Sequence, residues 1–162
     1  MRRARLLLAS AALTVLAGCP SAYQRTYDRT TQQLEQQQQA DQRQQAALHA
    51  EAQKYAAVVY FPVGNAVVDA DGQRELRWFV TQMQPYPQAT FNVQGFTDAT
   101  GSEANNQALA QQRAANVTAY LVEQGIAPAR IVSTGFGAGD AAASNATVKG
   151  RRDNRRVEVT VR

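Results

Sequence analysis

Residues 20–54 contain no glycine and, after Pro20, no proline, and glutamine dominates them, with Gln36, Gln37, Gln38 and Gln39 in one run. A stretch so poor in large apolar side chains cannot bury enough surface to offset the entropy of ordering a globular core. Gln, Ala, Glu and Arg are nonetheless good helix formers. The segment reads as a polar, partly helical linker, and it confines a globular fold to residues 55–162. Tyr27, Leu34, Leu48 and Tyr55 share a seven-residue register, but Asp41 occupies the same register. So broken a stripe favours a linker over an oligomerising stalk. Fully helical, such a segment would reach roughly 50 Å, a useful length for a tether. The sole histidine, His49, lies here and reads as solvated.

The other end of the linker carries a different signal. Arg2, Arg3 and Arg5 precede an apolar run from residue 6 to 17. That run is short for a membrane span, which needs about 20 residues, but suits the core of a secretory leader. The leader, residues 1–18, ends in Leu16-Ala17-Gly18-Cys19, which resembles the bacterial lipobox. The resemblance implies cleavage before Cys19, lipidation of its thiol and a firm anchor, since each buried CH₂ contributes roughly 0.8 kcal/mol. Pro20, in place of an aspartate after the cysteine, favours the outer membrane in that family of anchors, with the globular domain in the periplasm. Cys19 is the only cysteine, so no internal disulfide can form.

Locating the charges weakens a nucleic-acid reading. The formal net charge is +4, but 17 basic residues less the three arginines of the leader leave 14 against 13 acidic ones. Lys149, Arg151, Arg152, Arg155 and Arg156 form a basic cluster without interleaved aromatics or a known motif, so no nucleic-acid partner is expected.

Within 55–162, residues 55–61 read as a buried strand ended by Pro62 and Gly64. Asp69 or Asp71 can cap a helix carrying Leu76, Phe79, Val80 and Met83, which Pro85 and Pro87 stop. Residues 89–96 form a second strand, and the turn-rich 97–102 leads into a long helix over 103–124 closed by Gly125. A short strand at 131–134, a loop to residue 150 and a last strand at 155–161 follow. The order βαβαββ predicts an α+β, two-layer domain: a mixed four-stranded sheet with helices on one face.

The long helix holds an anomaly. With Leu109 set at 0°, Tyr120, Val117, Ala110, Leu121 and Ala114 fall within an arc of roughly 140°. Arg113 and Asn106 fall inside it. A charge on an inward arc needs a partner or a route to water. Arg155 has the parity of Val157, Val159 and Val161 and so points to the helix layer or its rim. These spacings alone leave two roles open for Arg113: a permanent ion pair with Asp98 or Glu103, or a ligand site.

Residues 93–117, VQGFTDATGSEANNQALAQQRAANV, resemble the OmpA-like peptidoglycan-binding domain. Gly95, Thr97, Asp98, Gly101, Asn106, Leu109, Arg113, Ala114 and Val117 fit its pattern. Gly125, Ile126, Arg130, Gly135, Gly137, Asn145 and the run from residue 150 to 158 fit as well. The resemblance implies that Asp98 and Arg113 hold the diaminopimelate of a peptidoglycan stem peptide, Asp98 accepting from its ammonium and the Arg113 fork taking its carboxylate. Thr97, Asn106, Leu109 and Arg155 fall on pocket positions. Phe96 replaces the usual histidine, Asn105 a frequent tyrosine and Ala110 the usual serine; the changes at Phe96 and Ala110 bear on pocket depth and affinity.

The resemblance implies a non-catalytic lipoprotein that fixes the outer membrane to peptidoglycan, or a scaffold that fixes a larger envelope or secretion complex to the wall through further protein partners. No cofactor is expected. The chain shows no nucleophile–base pair, metal-ligand cluster or phosphate loop; Asp98 and Glu103 alone suggest paired-carboxylate hydrolysis.

Overall fold

The structure is a computed structural model that describes residues 21–162. The leader and Cys19 lie outside the described residues. Two compact units emerge, the first ending at Gln42 and the second running from Arg43 to Arg162. The expected boundary between residues 54 and 55 falls inside the second.

Most of the glutamine-rich segment is helical. Helix α1, Ala22–Ala52, begins where Ser21 Oγ accepts from Gln24 N at 3.2 Å. Within the first unit it is exposed on all sides, Tyr23, Tyr27 and Leu34 included. Its last turns belong to the second unit, where Ala52 joins the core. Among the described residues no helix is long and apolar enough to cross a membrane.

The second unit continues with β1 (Ala56–Tyr60), α2 (Ala70–Met83), β2 (Phe91–Gly95), α3 (Glu103–Glu123), a 3₁₀ turn (Pro128–Arg130), β3 (Ile131–Gly135), α4 (Val148–Asn154) and β4 (Arg156–Val161). The sheet order is β1-β4-β2-β3, with β4 antiparallel to both neighbours and β2 parallel to β3. This is the mixed sheet that the sequence predicts. Ala57, Val59, Phe91, Val93, Val157 and Val159 alternate with more exposed residues and form one buried face. Helices α2 and α3 cover it with Leu76, Phe79, Met83, Val117 and Leu121. Phe79 meets Phe91 edge-on at 5.6 Å. Of the two candidate caps, Asp69 serves α2, accepting from Gly72 N at 2.9 Å.

Helix α4 corrects the sequence reading, which placed a loop up to residue 150 and began the last strand at 155. Thr147 Oγ1 caps α4 by accepting from Gly150 N at 2.9 Å, and Arg155 terminates it. Seven residues that include a glycine carry no apolar period, so nothing local announces a helix.

Gly95 and Gly135, paired in register at the ends of β2 and β3, set the distance to α3. A Cβ at Gly95 would lie 2.2 Å from Ala110 O, and one at Gly135 2.4 Å from Gln111 N. The backbone of α3 thus rests directly on the strand ends. That contact places Arg113 beneath the loop that leaves β2.

Candidate functional site

Beyond β2 the chain departs the sheet in steps fixed by backbone bonds. Phe96 N donates to Arg156 O at 2.8 Å and Thr97 N to Gly137 O at 2.7 Å. Asp98 follows, its side chain 8 % exposed. Its Oδ1 accepts from Thr100 N at 3.0 Å, the local bond that aspartate favours in turns. Its Oδ2 accepts from Arg155 Nη1 at 2.9 Å. Burial alone would raise the Asp98 carboxyl. The bonds from Arg155 and Thr100 outweigh it and hold the carboxyl below the usual aspartate range.

The same loop is tied from behind. Ala99 N donates to Asn145 Oδ1 at 3.1 Å, and that oxygen also accepts from Asn154 Nδ2 at 2.9 Å. Asn154 is wholly buried and exchanges two further bonds with the backbone of Ala143.

Arg113 is 0 % exposed. It forms no ion pair with Asp98 or Glu103. Its Nε donates to Asn65 O at 2.8 Å, Nη1 to Phe96 O at 2.9 Å and Nη2 to Pro62 O at 2.9 Å. Its guanidinium carbon lies 5.1 Å from the centre of the Phe61 ring. Burial, with the nearby charge of Arg155 adding and that of Asp98 opposing, lowers its pKa to about 10, so it remains a cation at neutral pH. Five N–H donors and three carbonyl acceptors make Arg113 a brace between α3, the segment after β1 and the end of β2.

Arg155 stands at the rim, its side chain 14 % exposed. Nε donates to Phe61 O at 3.1 Å while Nη1 holds Asp98. Two arginines from distant parts of the chain thus grip carbonyls of the 61–65 segment, and one of them also closes on Asp98. Thr97 Oγ1 is buried without a partner among the described residues.

Two clefts flank this cluster. One, of about 390 Å³, is lined by Phe61, Pro62, Asp69, Glu75, Arg152 and Arg155 among others. The second, of about 410 Å³, includes Glu103, Asn106, Gln107 and Phe136 in its lining. Of the residues singled out in the sequence, Thr97, Asp98, Arg113 and Arg155 gather around the 96–100 loop. Asn106 is buried in the wall of the second cleft, and Leu109 is half-buried at the margin of the inward arc. Phe96 turns to the other side of its strand, stacked on Phe136 at 5.4 Å with Arg156 over its ring at 4.1 Å. The carbonyls of Pro62 and Asn65 are structural participants that periodicity does not reveal; Asn145 and Asn154 are visible in the sequence only as matches to the family pattern. Among the described residues no group of three His, Cys, Asp or Glu side chains could hold a metal ion.

Residues 60–155 match the OmpA family over most of the second unit. The chain belongs to the OmpA family. A curated relative, "Probable lipoprotein YiaD" of Escherichia coli, is 38 % identical over 103 residues, covering 64 % of this chain and 47 % of that protein. "Peptidoglycan-binding protein ArfA" of Mycobacterium tuberculosis is 41 % identical over 98 residues, 60 % of this chain and 30 % of that protein. The chain spans about half or less of the length of these two relatives. Among solved structures, the peptidoglycan-associated lipoprotein of Burkholderia pseudomallei superposes with a TM-score of 0.62 at 26 % identity, covering 65 % of this chain and 90 % of that one. A MotB-like protein of Desulfovibrio vulgaris gives 0.57 at 29 % identity, covering 65 % and 71 %. The OmpA-family domain therefore has the mixed-sheet α+β fold of these structures.

Proposed function

We propose that the OmpA-family domain of this chain binds peptidoglycan without cleaving it and takes the diaminopimelate of a stem peptide beside Asp98. The observation that carries this reading is the nearly buried Asp98 carboxylate, kept ionised and paired with Arg155, which itself lines a cleft of about 390 Å³. An ammonium and a carboxylate on one carbon match this pair of opposite charges, and charge-assisted bonds are the strong ones. Thr97 Oγ1, buried and unpartnered, adds a hydroxyl one residue away. Arg113 supplies positive charge from below and holds both loops in place. Asn106, in the wall of the second cleft, and Leu109 are included in the proposal as pocket positions of the family pattern. The names of the mycobacterial relative and the Burkholderia structure support the same ligand class.

The proposed setting is the periplasmic side of the outer membrane, with Cys19 lipidated and α1 as part of the tether. A single stem contact is weak, and tethering raises its effective concentration. The test is co-sedimentation of the full chain with diaminopimelate-type sacculi. The wild type is expected in the pellet, with no soluble fragments released, and Asp98→Asn in the supernatant. A folded Asp98→Asn that pellets like the wild type overturns the site. For the anchor, Cys19→Ala should abolish palmitate labelling and move the protein to the soluble fraction; unchanged labelling overturns it.

A further inference from the structure

Each oxygen of Asp98 already accepts one hydrogen bond, Oδ1 from Thr100 N and Oδ2 from Arg155 Nη1. Arg155 lines the first cleft and Asp98 does not, so a ligand ammonium entering from that cleft meets Arg155 before it reaches Oδ2. We propose that Arg155 is a displaceable internal counter-ion that makes the site selective for a zwitterionic α-amino acid centre over a simple amine. This inference rests on the reading of the Asp98 pocket as a diaminopimelate site, and deepens it.

The geometry gives Arg155 the freedom to act this way and denies it to Arg113. Arg155 keeps a second attachment, Nε to Phe61 O at 3.1 Å, that does not depend on Asp98. Once Nη1 is released, the guanidinium stays at the wall of the first cleft, which it already lines beside Arg152. Its Nη1 edge then meets a carboxylate carried on the same carbon as the ammonium. Arg113 is fully buried, with Nε, Nη1 and Nη2 each bonded to a carbonyl, so moving it would strip three acceptors at once.

The charge count favours one class of ligand. A zwitterion exchanges the Asp98–Arg155 pair for two new pairs. An amine without a carboxylate takes Asp98 and leaves Arg155 unpaired in a site where it is mostly desolvated, which is costly. A carboxylate without an amine finds Arg155 already engaged and faces Asp69 and Glu75 in the lining of the same cleft.

The test is titration of the full chain, followed by NMR, with meso-diaminopimelate and with 1,5-diaminopentane, the same diamine without carboxylates. The wild type is expected to prefer diaminopimelate by about ten-fold or more. Arg155→Gln removes the charge and leaves Asp98 open, so the two ligands should bind within about three-fold of each other, with Arg155→Lys restoring part of the preference. A folded Arg155→Gln that keeps the wild-type preference overturns the inference. If that variant does not fold, the arginine side-chain ¹⁵N resonances of the wild type decide: the Arg155 signal should move with diaminopimelate while that of Arg113 stays, and a stationary Arg155 signal overturns the inference. Sacculus binding lost in Asp98→Asn alongside an unchanged preference in Arg155→Gln sinks this inference alone. A wild type that binds neither sacculi nor diaminopimelate sinks the underlying reading and this inference with it.

Discussion

Arg113 Nη2 donates to the carbonyl oxygen of Pro62 at 2.9 Å, joining the middle of α3 to the turn that leaves β1 across 51 positions of sequence. With the parallel bonds to Asn65 and Phe96, this makes a buried cation into a fastener of main chain rather than half of an ion pair. Charged donors form stronger bonds than neutral ones, and carbonyls left bare in a buried site carry a desolvation cost.

Arg113→Met should therefore destabilise the protein by about 3 kcal/mol or more, read from urea denaturation. Arg113→Lys should recover only part of this, because one ammonium on a flexible stem cannot serve three separated carbonyls. A loss below about 1 kcal/mol in the methionine variant would contradict the bracing role.

The Asp98 carboxyl predicts a pH signature. Its folded pKa lies below the ordinary value near 3.8, so between the two values the unfolded chain binds more protons than the folded one. The stabilisation it contributes is complete above the ordinary value, erodes as pH falls below it and is gone once the folded value is passed. Melting temperatures of wild type and Asp98→Asn, measured from pH 7 downward, should differ at neutral pH and converge in that acid window. Curves that stay parallel there would show that Asp98 is not held ionised.

Gly95→Ala should cost about 3 kcal/mol, because its Cβ would meet the Ala110 carbonyl at 2.2 Å, a backbone atom that cannot swing aside. Differential scanning calorimetry measures this directly. A near-wild-type melt would mean that α3 can retreat from β2 at little cost.

Asn154→Ala removes the three side-chain bonds made by a wholly buried amide and should lose about 2 kcal/mol. It also frees Asn145, whose Oδ1 holds Ala99 N. Hydrogen exchange at Ala99 should speed up more than at the amides of β1. Unaltered protection of Ala99 would uncouple Asn154 from the Asp98 loop.

The readable parts of this molecule are those governed by a short period. Alternation exposes β4, the i, i+3, i+7 spacing exposes the buried face of α2, and the helical arc of α3 places Arg113 and Asn106 inward, where they are. The arc itself is centred farther round than Leu109 suggests: Asn106, Ala110, Arg113, Ala114, Val117 and Leu121 are buried, whereas Leu109 is only half so. What escapes is the identity of partners. Arg113 reaches Pro62, and Arg155 reaches Asp98 57 residues away, through sheet order and strand length, which no local window contains. Helix α4 escapes because its cap, Thr147, is followed by too few apolar residues to mark a face.

Strand β1 has a mechanical consequence. The chain enters it at Ala56, just after the last turn of α1, and leaves it at Tyr60, where Phe61, Pro62 and Asn65 are clasped by Arg155 and Arg113. A pull between the point of entry and the Asp98 loop runs along this strand. The five residue pairs from Ala56↔Thr160 to Tyr60↔Arg156 then bear load in shear, all together, rather than unzipping one after another.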